Sequence, residues 1–212
     1  ALALGSAANT PYIADDIVYL TDRDDSVALK YTLDGKPLQV LGQRGVHSDT
    51  GTDLYGDLVP HGAGPFNHPT RMVPGPTGDL FVSDGERNCR VHRFTRDGQL
   101  ITSWGAPGKE GGKFHLPHGL LVDKDGRIYV CDRENSRVQV FSQEGVFLTM
   151  WTDMNKPQDI TMDKEGVYYT CERAENNFSP QVSVLDSQGK VLERWPCRAA
   201  HGLWVDSRGD IY

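Results

Sequence analysis

The sequence has no apolar run long enough to cross a bilayer as a helix, which removes the helical membrane proteins. It also lacks an excess of positive charge. Lys and Arg number 22 against 29 Asp and Glu, so no basic footprint argues for nucleic acid or for an anionic membrane surface. Cysteine is scarce: Cys89, Cys131, Cys171 and Cys197 include no CxxC and no zinc-ribbon spacing. Cys131 and Cys171 stand in a register occupied elsewhere by Ser83 and Thr21, which reads as small strand residues rather than a disulfide framework. No stretch sustains helical periodicity. The opening "ALALGSAANT" lacks a charged n-region; a processed export remnant and an ordinary frayed end both fit it, so export stays open and the compartment undecided.

What the chain does have is glycine, proline and a repeat. Its 23 Gly and 12 Pro mark turn-rich globular material. From Pro117, Gly126 follows nine residues later, Tyr129 twelve later and Asp132 fifteen later. From Pro69 the same offsets give Gly78, Phe81 and Asp84, and from Pro157 they give Gly166, Tyr169 and Glu172. From Ala7 they give Asp16, Tyr19 and Asp22; from Ala200, Gly209 and Tyr212. Each unit continues with a strand of the "VQVF" type and then a turn, Asp34-Gly35, Asp97-Gly98, Glu144-Gly145 or "DSQG". A last strand closes on Leu41, Trp104, Trp151 or Trp195.

Period-two alternation with a Gly turn every eight to twelve residues means short antiparallel strands, and four per unit is the blade of a β-propeller. The expected fold is therefore all-β, a single propeller domain over 1–212, with blades starting near 7, 69, 117, 157 and 200. Four whole blades and one opening strand read as a piece of a longer parent, expected to be six-bladed. The alternative is a small closed ring in which 200–212 completes the first blade.

Strand one runs away from the Pro-His end and strand two returns to it. Offsets one and fifteen to seventeen therefore share one face, and the innermost strands line the central channel. The offset-one series is Ala8, Thr70, His118, Gln158, His201. Two imidazoles on alternate blades would converge on the axis, giving two legs of a zinc tripod with positions left for water or substrate. The bland alternative is a histidine bonded to a neighbouring blade's backbone. His47, His61, His68, His92 and His115 lie outside the register, though His61 or His68 could supply a further ligand from the long 43–65 loop. At offset sixteen stand Arg23, Arg133 and Arg173, which read either as a carboxylate receptor or as surface ion pairs; the acids before them either orient them or cap turns.

The units "FNHPTRMVPGPTGDLFVSDG" and "KFHLPHGLLVDKDGRIYVCDRENSRVQVF" resemble NHL repeats, and more narrowly the propeller of the peptidyl-α-hydroxyglycine α-amidating lyase family. The resemblance implies a six-bladed propeller with zinc on three histidines that splits α-hydroxyglycine peptides into an amide and glyoxylate. It implies that His118 and His201 are two of those ligands and that Arg133 receives the substrate carboxylate, with Arg23 and Arg173 as further substrate-binding candidates. Where the family has a tyrosine base after "SDG" this chain has Glu86, the candidate base here. Calcium is a second metal the resemblance allows, but Gly202 stands where the family has an acidic calcium ligand after the third histidine.

The leading expectation is a zinc-dependent, lyase-like enzyme acting on a small or peptide carboxylate. The alternative is a non-catalytic NHL propeller binding a protein or other ligand on the same face. A calcium-dependent lactonase-like propeller would need an oxygen-rich channel, and His, Thr and Gln at offset one argue against it. Oligomeric state is not legible.

Overall fold

The computed structural model describes residues 11–173 and 179–212, and it is a four-bladed arrangement of four-stranded antiparallel sheets. Blade 1 is β1 (Tyr12–Ala14), β2 (Ile17–Asp22), β3 (Val27–Thr32) and β4 (Pro37–Leu41). Blade 2 is β5 (Pro69–Pro74), β6 (Leu80–Asp84), β7 (Arg90–Phe94) and β8 (Leu100–Trp104). Blade 3 is β9 (Pro117–Val122), β10 (Ile128–Asp132), β11 (Arg137–Phe141) and β12 (Phe147–Trp151). Blade 4 is β13 (Pro157–Met162), β14 (Tyr168–Glu172), β15 (Gln181–Leu185) and β16 (Val191–Pro196). Strand order in each sheet follows the chain, so every connection is a hairpin. The expected all-β propeller is what forms.

The two middle strands of a blade are buried on both faces, as at Leu80–Asp84 and Ile128–Asp132, while the outer strand is half exposed. The seams between blades are aromatic. Trp104, closing blade 2, meets Phe141 of blade 3 at 6.0 Å, and Trp151, closing blade 3, meets Tyr168 of blade 4 at 5.1 Å. The outer turns of blades 2, 3 and 4 each sit on the closing residue of the blade before. A Cβ on Gly145 would fall 2.6 Å from Trp104, and one on Gly189 would fall 2.0 Å from Trp151. Both glycines have positive φ, so geometry and space require the same residue there.

The buried acids at offset fifteen cap turns. Asp84 accepts the Asn67 backbone N–H at 3.1 and 3.0 Å, Asp132 that of His115 at 2.7 Å, and Glu172 that of Asn155 at 2.7 Å. Each carboxylate thus ties the end of strand two to the chain two residues before strand one. Asp132 binds Arg137 and Asn135, each at 2.8 Å, while the Arg133 that follows it pairs with Glu86 and Glu134.

Blade 1 departs from the register. Tyr12 pairs with Tyr19 across a two-residue turn, Asp15-Asp16, both at positive φ, where the other blades leave five residues between the last paired positions. The expected start of this blade at Ala7, and the offset-one Ala8, lie outside the described residues. Segment 200–212 does not complete blade 1, whose sheet holds its own four strands. It folds on itself instead, with Val205 bridging Ile211 and Asp206 capping its turn as Asp123 and Asp163 cap theirs. It is a short hairpin of its own after blade 4.

Candidate functional site

The offset-one side chains gather at one mouth of the ring, but they do different things there. Thr70 is spent on the seam: its Oγ1 reaches the backbone oxygens of Pro117 and His118 at 2.9 and 3.1 Å, in blade 3. Beside it Gly85 passes so close to blade 3 that a Cβ would lie 1.9 Å from the Pro117 carbonyl oxygen. These contacts fix where strand β9 begins, and so where His118 stands.

His118 is buried, and its Nδ1 lies 2.7 Å from the Gln158 carbonyl oxygen of blade 4. A carbonyl only accepts, so Nδ1 carries the proton and Nε2 keeps its lone pair. That Nε2 has no hydrogen-bond partner. Burial, reinforced by the positive charge of Arg133 and by His201, holds His118 well below the usual imidazole range, so it is neutral at pH 7. The His201 ring stands edge-on to it, with centroids 4.8 Å apart at 90°. Desolvation, with Arg133 adding to it, lowers His201 as well. A buried, unpartnered nitrogen in the metal-binding tautomer, facing a second neutral imidazole, fits a soft or borderline cation.

The fit is two-legged. Among the described residues no group of three or more His, Cys, Asp and Glu side chains is arranged to hold a metal ion. The loop histidines are engaged elsewhere. His68 bonds Tyr55 at 2.8 Å and Asn67 at 2.7 Å and stacks on His47, while His115 reaches the Gly56 oxygen at 3.0 Å. His61 is exposed on the loop.

Two clefts of about 380 and 400 Å³ share Glu86, Arg133 and Arg173, and His201 lines the first of them. Arg133 is buried, and it is already paired. Its Nη1 is 3.3 Å from Glu86 Oε1 and its Nε 3.0 Å from Glu134 Oε1. Glu134 is held in turn by Lys156 at 2.6 Å. Burial opposes ionisation of Glu134, but the Lys156 hydrogen bond and the Arg133 charge outweigh it and keep the carboxyl below its ordinary range. Glu86 Oε1 is also 3.8 Å from His118 Nε2. Arg23 does not join: it pairs with Asp24 at 2.9 Å and lies over the Tyr55 ring. His118, His201, Glu86, Arg133 and Arg173 are thus brought together, and Arg23 is not.

Sequence reasoning missed what lies behind the imidazoles. Arg71 and Asp159, both buried, form an ion pair of 2.8 Å between blades 2 and 4, and the same Asp159 oxygen accepts the Leu203 N–H at 3.1 Å. Arg71 also lies under Tyr12, whose ring meets Trp204 at 5.5 Å. This circuit anchors the segment that carries His201. The signal was present at offset two, where Arg71, Gly119, Asp159 and Gly202 follow the offset-one residues. Strict alternation would have sent those side chains to the other face. The register shifts between Pro69 and Arg71 and between Pro157 and Asp159, and these irregularities turn consecutive residues inward.

The repeat geometry finds its counterpart among known sequences. Residues 114–141 match the NHL repeat family. The chain carries an NHL repeat within a β-propeller fold. It is 30% identical to human NHL repeat-containing protein 3 over 154 residues, which is 69% of this chain and 41% of that protein. It is 34% identical to peptidyl-alpha-hydroxyglycine alpha-amidating lyase 1 of Drosophila melanogaster over 147 residues, 63% of this chain and 25% of that one. The chain thus spans about two fifths of the first relative's length and a quarter of the second's. In solved structures it is similar in fold to a streptogramin B lyase, with a TM-score of 0.65 at 15% identity, covering 95% of this chain and 60% of that chain. No helix among the described residues is long and apolar enough to cross a membrane.

Proposed function

We propose that this NHL propeller is a zinc-dependent lyase that cleaves an α-hydroxyglycine-type, carboxylate-bearing substrate to an amide and glyoxylate. The observation that carries the reading is the orphaned, buried Nε2 of His118 facing the His201 ring. The kinship with the Drosophila lyase supports it.

His118 and His201 would hold the zinc, whose contribution when bound is to acidify the substrate hydroxyl. Arg133, with Arg173 beside it in the clefts, would take the substrate carboxylate as a charge-assisted pair. Glu86 would accept the hydroxyl proton. The oxygen's electron pair then forms the carbonyl of glyoxylate as the C–N bond breaks, and the departing nitrogen takes a proton to become the amide. The Gln158 carbonyl keeps His118 in one tautomer throughout.

The test is metal analysis of the purified protein together with glyoxylate release from an N-acyl-α-hydroxyglycine. The expected result is bound zinc and zinc-dependent turnover, both lost in His118→Ala. A protein that binds no zinc, or whose zinc content His118→Ala leaves unchanged, overturns the reading in favour of a non-catalytic scaffold.

A further inference from the structure

Glu86 is badly placed for a free base and well placed for something else. Its Oε1 lies between the Arg133 Nη1, at 3.3 Å, and the His118 Nε2, at 3.8 Å. It lines both clefts with Arg133, so it stands at the point where an incoming ligand of either cleft would meet the guanidinium. The other acid on Arg133, Glu134, approaches Nε, is pinned by Lys156, and lines only the cleft of about 400 Å³, not the one that His201 lines.

We infer that Glu86 is an internal stand-in for the ligand's carboxylate: an α-hydroxy carboxylate binds by displacing Glu86 from Arg133, and the displacement frees Glu86 beside His118 to act as a base. This rests on the lyase-like reading of the site and adds a selection rule to it. A ligand without a carboxylate leaves Glu86 on Arg133 and finds no free proton acceptor. A ligand with one exchanges a carboxylate for a carboxylate, so the buried guanidinium is never left unpaired, which would be the expensive outcome. Both partners are largely buried, with side-chain exposures of 9% for Arg133 and 13% for Glu86, so the pair is worth more than a surface ion pair and its displacement weakens ligand binding measurably.

The experiment is calorimetric titration of the zinc-free protein with glycolate at pH 7. Glu86→Gln keeps the shape and removes the competing charge, and it should bind glycolate roughly tenfold more tightly than the unaltered chain. Arg133→Gln should abolish binding. Glu134→Gln removes the same unit charge from the same arginine at its Nε, and should change affinity less than about threefold, because Glu134 is held by Lys156 and does not cover Nη1. Thermal melts confirm that each variant is folded. Equal or weaker binding by Glu86→Gln, an equal gain in Glu134→Gln, or no glycolate binding by any of them overturns the proposal. Because no zinc and no turnover enter the measurement, failure to release glyoxylate would leave this result standing, and the reverse also holds.

Discussion

Replacing Asp159 by Asn tests whether the axial circuit holds the site together. The carboxylate accepts Arg71 Nη1 at 2.8 Å, the Leu203 N–H at 3.1 Å and the Ile160 N–H at 2.9 Å. An amide of the same shape keeps an acceptor for one or two of these but leaves the Arg71 charge buried and unopposed. Arg71 is ill prepared for that, since its Nε is already without a partner. Breaking one side of a buried ion pair costs about 3–5 kcal/mol. For a chain of this size each kcal/mol lowers Tm by about 2–4 °C, so a fall of about 6–20 °C is expected. Replacing both partners, as Arg71→Met with Asp159→Leu, removes the stranded charge and should recover much of the loss. The assay is a thermal and denaturant double-mutant cycle. A loss below about 1 kcal/mol in Asp159→Asn, or a double variant no more stable than the single one, would refute the reasoning. Because Leu203 lies two residues beyond His201, the single variant should also weaken zinc binding.

Two further perturbations follow from the same mouth. Burial, then the charge of Arg87, lowers His68 from 6.5 to about 4, so the fold holds it neutral while the unfolded chain protonates near 6.5. Its contribution to stability is therefore complete above pH 6.5 and declines as pH falls towards 4; His68→Asn, which tolerates the positive φ of 64°, should flatten the stability profile in that window. Gly85→Ala pushes a methyl into the Pro117 carbonyl of the neighbouring blade and should cost at least about 2 kcal/mol, read as a lower denaturation midpoint, whereas an alanine that is tolerated would mean the seam is looser than described.

The repeat was legible because hairpin turns and alternating strands impose fixed spacings. Gly78, Gly126, Gly166 and Gly209 all occupy positive φ at the same offset, and Asp16 does so in their place in the first blade. That register is enough to bring His118 and His201 to one point. It was not enough to say what each mouth residue would do. Thr70 and His118 share an offset, yet one stitches a seam and the other carries an unpartnered nitrogen. The difference lies in which neighbouring blade passes beside each side chain, a long-range contact that no local spacing encodes. Arg133 was legible as either a carboxylate receptor or an ion-paired arginine, with Glu134 as its neighbour in the chain; Glu86, 47 residues earlier, and Lys156, which fixes Glu134 from the start of the next blade, come from other turns and leave no mark in local spacing.

The blade, its turns, its buried acids and the face on which the polar residues gather are written into the residue order, because all of these are set by contacts within one unit of the repeat. The charge pairings come from how the blades assemble. The pairing of Arg71 with Asp159, the capture of Arg133 by Glu86, and the isolation of His118 Nε2 each depend on the angle at which separate blades meet, and on irregularities that turn two consecutive side chains toward the axis.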